Sequence, residues 1–102
     1  MSIVVVLTAF PVHAHRAEVI AALEAAISRV HDEPGVELYA LHEGHDRLVM
    51  IEKYESERAR SEHSKRAALA DLMSALQGKL STDLDVQVLV PHPAGKAQKG
   101  AL

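Results

Sequence analysis

Four side chains able to hold or move a proton fall within one short stretch of this 102-residue chain: Tyr39, Glu52, Tyr54 and His63. They lie in EPGVELYALHE and, after a short turn, in RLVMIEKYESERARSEH. An imidazole titrates near neutrality and can serve as a general base or as a donor to a substrate oxygen. Glu52 and Tyr54 are two residues apart in a strand-like run, so they share a face with Leu48 and Met50. Such a face is apolar at one end and polar at the other. It suits a flat aromatic ligand bearing one or two oxygens. The ordinary alternatives are a surface histidine on a charged helix, a core tyrosine with one partner for its hydroxyl, and a carboxylate at the rim. Tyr39 stands on the neighbouring strand. A two-residue loop at His45-Asp46 would pair it with Glu52 on one face, whereas a three-residue loop would turn it to the other.

Other chemistries lack support. There is no cysteine, hence no disulfide, thiol nucleophile or cysteine zinc site. Seven histidines invite a metal reading. However, His13 and His15 sit at a strand-to-helix junction and His42 and His45 flank a turn, with no recognised ligand spacing among them. Solvated histidines and no metal are expected. The glycines sit at turns and in the tail, and no phosphate loop or Ser-His-Asp spacing occurs. Net charge is −3 without a basic block, and Phe10, Tyr39 and Tyr54 are the only aromatic residues, so nucleic acid is not an expected partner. Arg58, Arg60, Lys65 and Arg66 are interrupted by Glu57 and Glu62 and read as a solvated helical face. The start, MSIVVVLTAF, lacks a basic lead and is about half a membrane span. A cytoplasmic protein with no membrane partner is the expectation.

The elements that must position these residues follow from periodicity. Ile3 to Phe10 is an apolar, β-branched run ending at Pro11, a strand signature. From Ala14 to Val30 the period becomes helical, with Ile20, Leu23, Ile27 and Val30 on one face. Asp32-Glu33-Pro34-Gly35 turns the chain. Val36 to Glu43 and Arg47 to Tyr54 are strands joined by a turn of hairpin length. Ser56 stands where a helix N-cap belongs, with Glu57 in the first turn. A helix through Glu62 follows, then another from near Lys65 with Leu69, Leu72, Met73 and Leu76 on one face, stopped by Gly78. Leu84, Val86, Val88 and Val90 alternate in a fourth strand.

The order β-α-β-β-α-β predicts an α+β, ferredoxin-like sandwich over residues 1–93, with a polar tail at 94–102. With helices on one sheet face only, the other face stays rich in Val, Ile and Leu. A second copy is the expected cover, giving a homodimer.

Pro34, Gly35, Tyr39, Glu52, Ser56 and His63 together resemble the antibiotic biosynthesis monooxygenase family of small dimeric α/β barrels. The family pattern is a Pro-Gly turn, a strand with Tyr, a strand ending Glu-x-Trp-x-Ser, and a helix carrying His. Two departures stand out: Tyr54 occupies the family's Trp position, and Ala68 the position of a second His. The resemblance implies a cofactor-independent monooxygenase acting with O₂ on a small aromatic quinol, phenol or anthrone. It implies His63 and Tyr54 as catalytic groups, with Tyr39, and Met50 and Glu52 of the shared strand face, as the expected substrate-binding ones. Two alternatives of the same fold are an isomerase of a small hydroxyketone and a non-catalytic ligand-binding dimer. Haem degradation fits less well, because no Trp is present and the first strand carries no Asn.

Overall fold

The computed structural model describes residues 1–102. Strand β1 (Ile3–Ala9) leads through a 3₁₀ turn (His13–His15) into helix α1 (Arg16–Val30). Strands β2 (Val36–Glu43) and β3 (Leu48–Tyr54) form a hairpin, followed by α2 (Glu57–Ser64), α3 (Ala67–Leu76) and β4 (Asp85–Leu89). The sheet is antiparallel in the order β2-β3-β1-β4, which is the ferredoxin-like arrangement expected from the element order.

The sequence signals act where they were read. Ser56 adopts an extended conformation and its hydroxyl accepts the Ala59 N–H at 3.1 Å, capping α2. Gly78, at φ +78°, lets the chain leave α3 in the left-handed region. The hairpin has the two-residue connection: Gly44 N–H donates to the Arg47 carbonyl at 2.8 Å around His45-Asp46. That register pairs Tyr39 with Glu52 and resolves the open question of its facing.

Cross-strand pairs then assign the two faces. Val5 lies between Glu52 and Val88, and Leu7 between Met50 and Val86. This face carries the core, in which Leu7, Ala9, Tyr39, Leu48 and Met50 meet Val19, Leu23, Ala26 and Val30 of α1 and Ala68, Leu72 and Leu76 of α3. Burying such side chains is the main stabilising term of a small domain. A second, smaller cluster of Ile3, Val5, Tyr54 and Ala59 closes the α2 end. The opposite face presents Val4, Val6, Leu38, Ala40, Val49 and Ile51, flanked by Lys53, Gln87 and Asp85. No helix of the chain is long and apolar enough to cross a membrane.

Candidate functional site

Strand β3 alternates strictly between buried and half-buried positions, so Leu48, Met50, Glu52 and Tyr54 all turn toward the helices. Glu52 is only 3% exposed. It is a carboxyl inside the protein, not one at the rim. Tyr54 is fully buried, and its hydroxyl donates to Glu52 Oε1 at 2.6 Å. The bond is at the ordinary length for an O–H···O contact and leaves neither buried group without a partner.

Helix α2 delivers His63 to the same place. The alternative of a surface histidine on a charged helix does not hold, because His63 is only 6% exposed. A polar helix of eight residues docks only by its Ala59 and His63 edge, so the one large side chain on that edge must go inside. The ring lies 5.4 Å from the Tyr54 ring and 5.7 Å from the Tyr39 ring, centroid to centroid. Its Nδ1 is 2.8 Å from Glu33 Oε1. That leaves Nε2 as the ring nitrogen available to the cleft that His63 lines.

The cleft has a volume of about 290 Å³, near the lower end of small-molecule sites. Val5, Leu7, Val86 and Val88 form its sheet wall, and Leu69 and Met73 of α3 its opposite wall. The strand register places Glu52 beside Val5 and Val88 and Tyr54 beside Ile3, toward α2, where Arg60, His63 and Ser64 complete the polar end. Val86 and Val88 are each half exposed, because the helices stop short of β4.

Burial sets the protonation states. It pushes the Glu52 carboxyl up to about 7, against the opposing pull of the Tyr54 hydrogen bond. It also pushes both phenols well above the ordinary tyrosine range, helped by the negative charges of Glu52 and Glu33. Tyr39 and Tyr54 therefore remain O–H donors and do not act as bases. Acceptor capacity at the polar end rests with Glu52 and with an imidazole nitrogen of His63.

Of the residues predicted from sequence, His63, Tyr54 and Glu52 converge on the cleft. Met50 and Tyr39 do not line it. Met50 is fully buried between sheet and helices, and Tyr39 stands one strand farther from β4, behind Glu52 and against His63. Both stand behind the residues that face the cleft. Sequence reasoning missed Glu33 and Arg60. In sequence Glu33 is simply part of a turn, and its partner is 30 residues away, which no local pattern shows. Arg60 belongs, by sequence, to a charged helical face. Its spacing of three from His63 on one helix was the available signal that the two share a face.

A larger hollow of about 690 Å³ lies at the other end of the sheet, among Phe10, Pro11, His13, Arg16, His45 and Asp46. Its one inward guanidinium is committed to the hairpin, donating to the Gly44 carbonyl at 3.0 Å and to Glu43 at 3.3 Å. Its histidines are exposed, and the hollow holds none of the buried, mutually bonded groups of the cleft. No three His, Asp or Glu side chains are grouped to hold a metal ion anywhere in the chain.

The sequence model of the family described as antibiotic biosynthesis monooxygenase matches residues 2–75. Among solved structures, Rv0793 from Mycobacterium tuberculosis is similar with a TM-score of 0.88 and 26% identity, covering 94% of this chain and 100% of that one. A candidate antibiotic biosynthesis monooxygenase from Caulobacter crescentus gives 0.81 and 22%, with 86% and 87% covered. SO0527 from Shewanella oneidensis gives 0.79 and 23%, with 86% and 88% covered. The last two likenesses show the fold. No curated protein matches the chain.

Proposed function

Because the chain belongs to the antibiotic biosynthesis monooxygenase family, we propose that its cleft oxidises an electron-rich quinol, phenol or anthrone with O₂ and needs no metal or flavin. The carrying observation is an apolar cleft that ends on three buried, adjoining polar groups: Glu52, Tyr54 and His63. The apolar walls hold the ring system, and the polar end receives its oxygen.

The chemistry is proton removal followed by direct reaction with O₂. His63 Nε2 takes the acidic proton of the substrate, leaving a delocalised anion. Tyr54 and Arg60 border the oxygen on which that charge develops, in a cavity of low dielectric. For an anthrone methylene, the anion passes one electron to O₂, and the radical pair combines at carbon to form a C–O bond. The peroxide takes up the proton held by His63. Loss of the second C–H proton and cleavage of the O–O bond then give the carbonyl and water. One oxygen atom enters the product and the other leaves as water, so O₂ is the only oxidant.

An isomerase of a small hydroxyketone would use the same acid and base. Seven of the twelve lining residues are aliphatic, which favours the aromatic substrate over a small polar one.

The test is oxygen uptake against a panel of hydroquinones and anthrones with no cofactor added. His63→Ala should lower the rate roughly 10²–10⁴-fold. Tyr54→Phe keeps the ring, removes the hydroxyl and should also slow turnover. Exhaustive dialysis against a chelator should leave the rate unchanged. Absence of uptake on every substrate would replace this reading with that of a ligand-binding protein, and full activity in both variants would remove His63 and Tyr54 from the chemistry.

A further inference from the structure

Glu33 has no part in the reaction above, yet its carboxylate is buried and aimed at His63. The two side chains are 8% and 7% exposed, with Oε1 and Nδ1 2.8 Å apart. Their elements are tied together independently of that contact. The Glu33 N–H donates to the Val30 carbonyl at 2.9 Å, fixing the residue to the end of α1. Two residues on, the Gly35 carbonyl accepts the Glu55 N–H at 2.9 Å, just before α2. Gly35 comes so close to α2 that a side-chain carbon there would lie 2.5 Å from the Ala59 Cβ. Ala59 precedes His63 by one helical turn. The turn bearing Glu33 is thus clamped on the helix bearing His63.

We infer that Glu33 is a positioning residue that accepts the Nδ1–H of His63 and so holds the neutral ring with a bare Nε2 facing the cleft. The inference rests on the reading of His63 as the base. A carboxylate can only accept, and a neutral imidazole carries one proton, so a carboxylate at Nδ1 places that proton on Nδ1. Nε2 is then a lone pair, as a base requires. Once His63 has taken the substrate proton, the same carboxylate balances the imidazolium, the logic of a histidine oriented by an acid. The other groups around the pair do not compete. Arg66 Nε is 4.0 Å from Glu33, beyond hydrogen-bond reach, and is partly exposed. Tyr39 and Tyr54 contact the ring by their faces and edges, and the Tyr54 hydroxyl is engaged with Glu52.

The experiment reads the ring directly. The full chain with nitrogen-15 in its histidines is examined by nitrogen–proton correlation near pH 8, without substrate. Wild-type His63 should show a protonated Nδ1 and a bare Nε2. In Glu33→Gln the amide can donate to Nδ1, so the proton should move to Nε2. Oxidation of any quinol that the wild type turns over should then fall roughly 10²–10⁴-fold in kcat with little change in KM. Glu33→Asp, which keeps an acceptor-only group, should retain the wild-type tautomer and recover part of the rate. An unchanged tautomer in Glu33→Gln, or a shifted one with an undiminished rate, overturns the inference. Should Glu33→Gln not fold, the wild-type spectrum decides alone, and a ring protonated at Nε2 overturns it. A wild type that oxidises no quinol, with the tautomer shifting as described, refutes the oxygenase reading and supports the positioning role.

Discussion

At the residue scale, the decisive property of Glu52 is that its proton is held by burial. A carboxyl pushed up to about 7 in the fold and titrating near 4.5 when unfolded favours the native state while it stays protonated. That stability is fully present below the unfolded value and is lost as pH rises toward and through the folded one. Between about pH 4.5 and pH 7 the loss should be on the order of 3 kcal/mol. Glu52→Gln keeps an oxygen acceptor for Tyr54 but cannot ionise. Urea unfolding of both proteins across that window should show the wild type losing stability relative to the variant; parallel curves would mean that Glu52 is solvated. His63 belongs to the same scale. Because it is buried against Glu33, His63→Ala should cost on the order of 3 kcal/mol as well as activity, since it strands a buried carboxylate. Equilibrium unfolding of His63→Ala would reveal that cost, and a loss within experimental error would mean that Arg66 or water replaces the ring.

At the scale of elements, the site depends on how one tight turn meets one short helix. Gly35 and Gly78 share nearly the same backbone conformation, φ +80° and +78°. A side chain at Gly35 would meet Ala59, whereas one at Gly78 would meet nothing within 4 Å. Gly78→Ala should therefore cost only its backbone strain, about 1 kcal/mol. Gly35→Ala adds a steric clash between the turn and α2 and should cost roughly 1–3 kcal/mol more. It should also loosen the contact between Glu33 and His63 and slow turnover. Thermal melts of the two variants give the comparison, and equal losses would show that the turn moves away from α2 without penalty. The hairpin contributes in the same way, because its two-residue connection alone sets which face Tyr39 takes.

At the scale of the whole molecule, the sheet has one face covered by helices and one without them. Val6, Leu38, Ala40, Val49 and Ile51 stand half-buried on the second face and make it an apolar surface of the kind that associates. The chain mass is 11.1 kDa, and sedimentation at micromolar concentration should give twice that value. A clean monomer would leave the apolar face without a role. The tail reaches back to this face, where Lys53 Nζ donates to the Leu102 carbonyl at 2.8 Å. Removing residues 94–102 should weaken association or ligand binding. If both stay unchanged, the segment is an ordinary chain end.

The sequence by itself determined the element order, and through it the fold. Alternating Leu48, Met50, Glu52 and Tyr54, the Ser56 cap and the Gly78 stop are local signals, set by pleat, hydrogen bonding and backbone sterics over a few residues. The same local rules placed Glu52 and Tyr54 on one face. They could not say how deep that face lies, because depth depends on what covers it. Only the tertiary structure buried Glu52, drew His63 inside on a helix that reads as polar, and brought Glu33 to it across 30 residues. It also sent Met50 and Tyr39 behind the cleft, since α1 and α3 cover the centre of the sheet and stop short of β4. Burial and long-range pairing are sums over many contacts from distant segments, and no spacing along the chain records them.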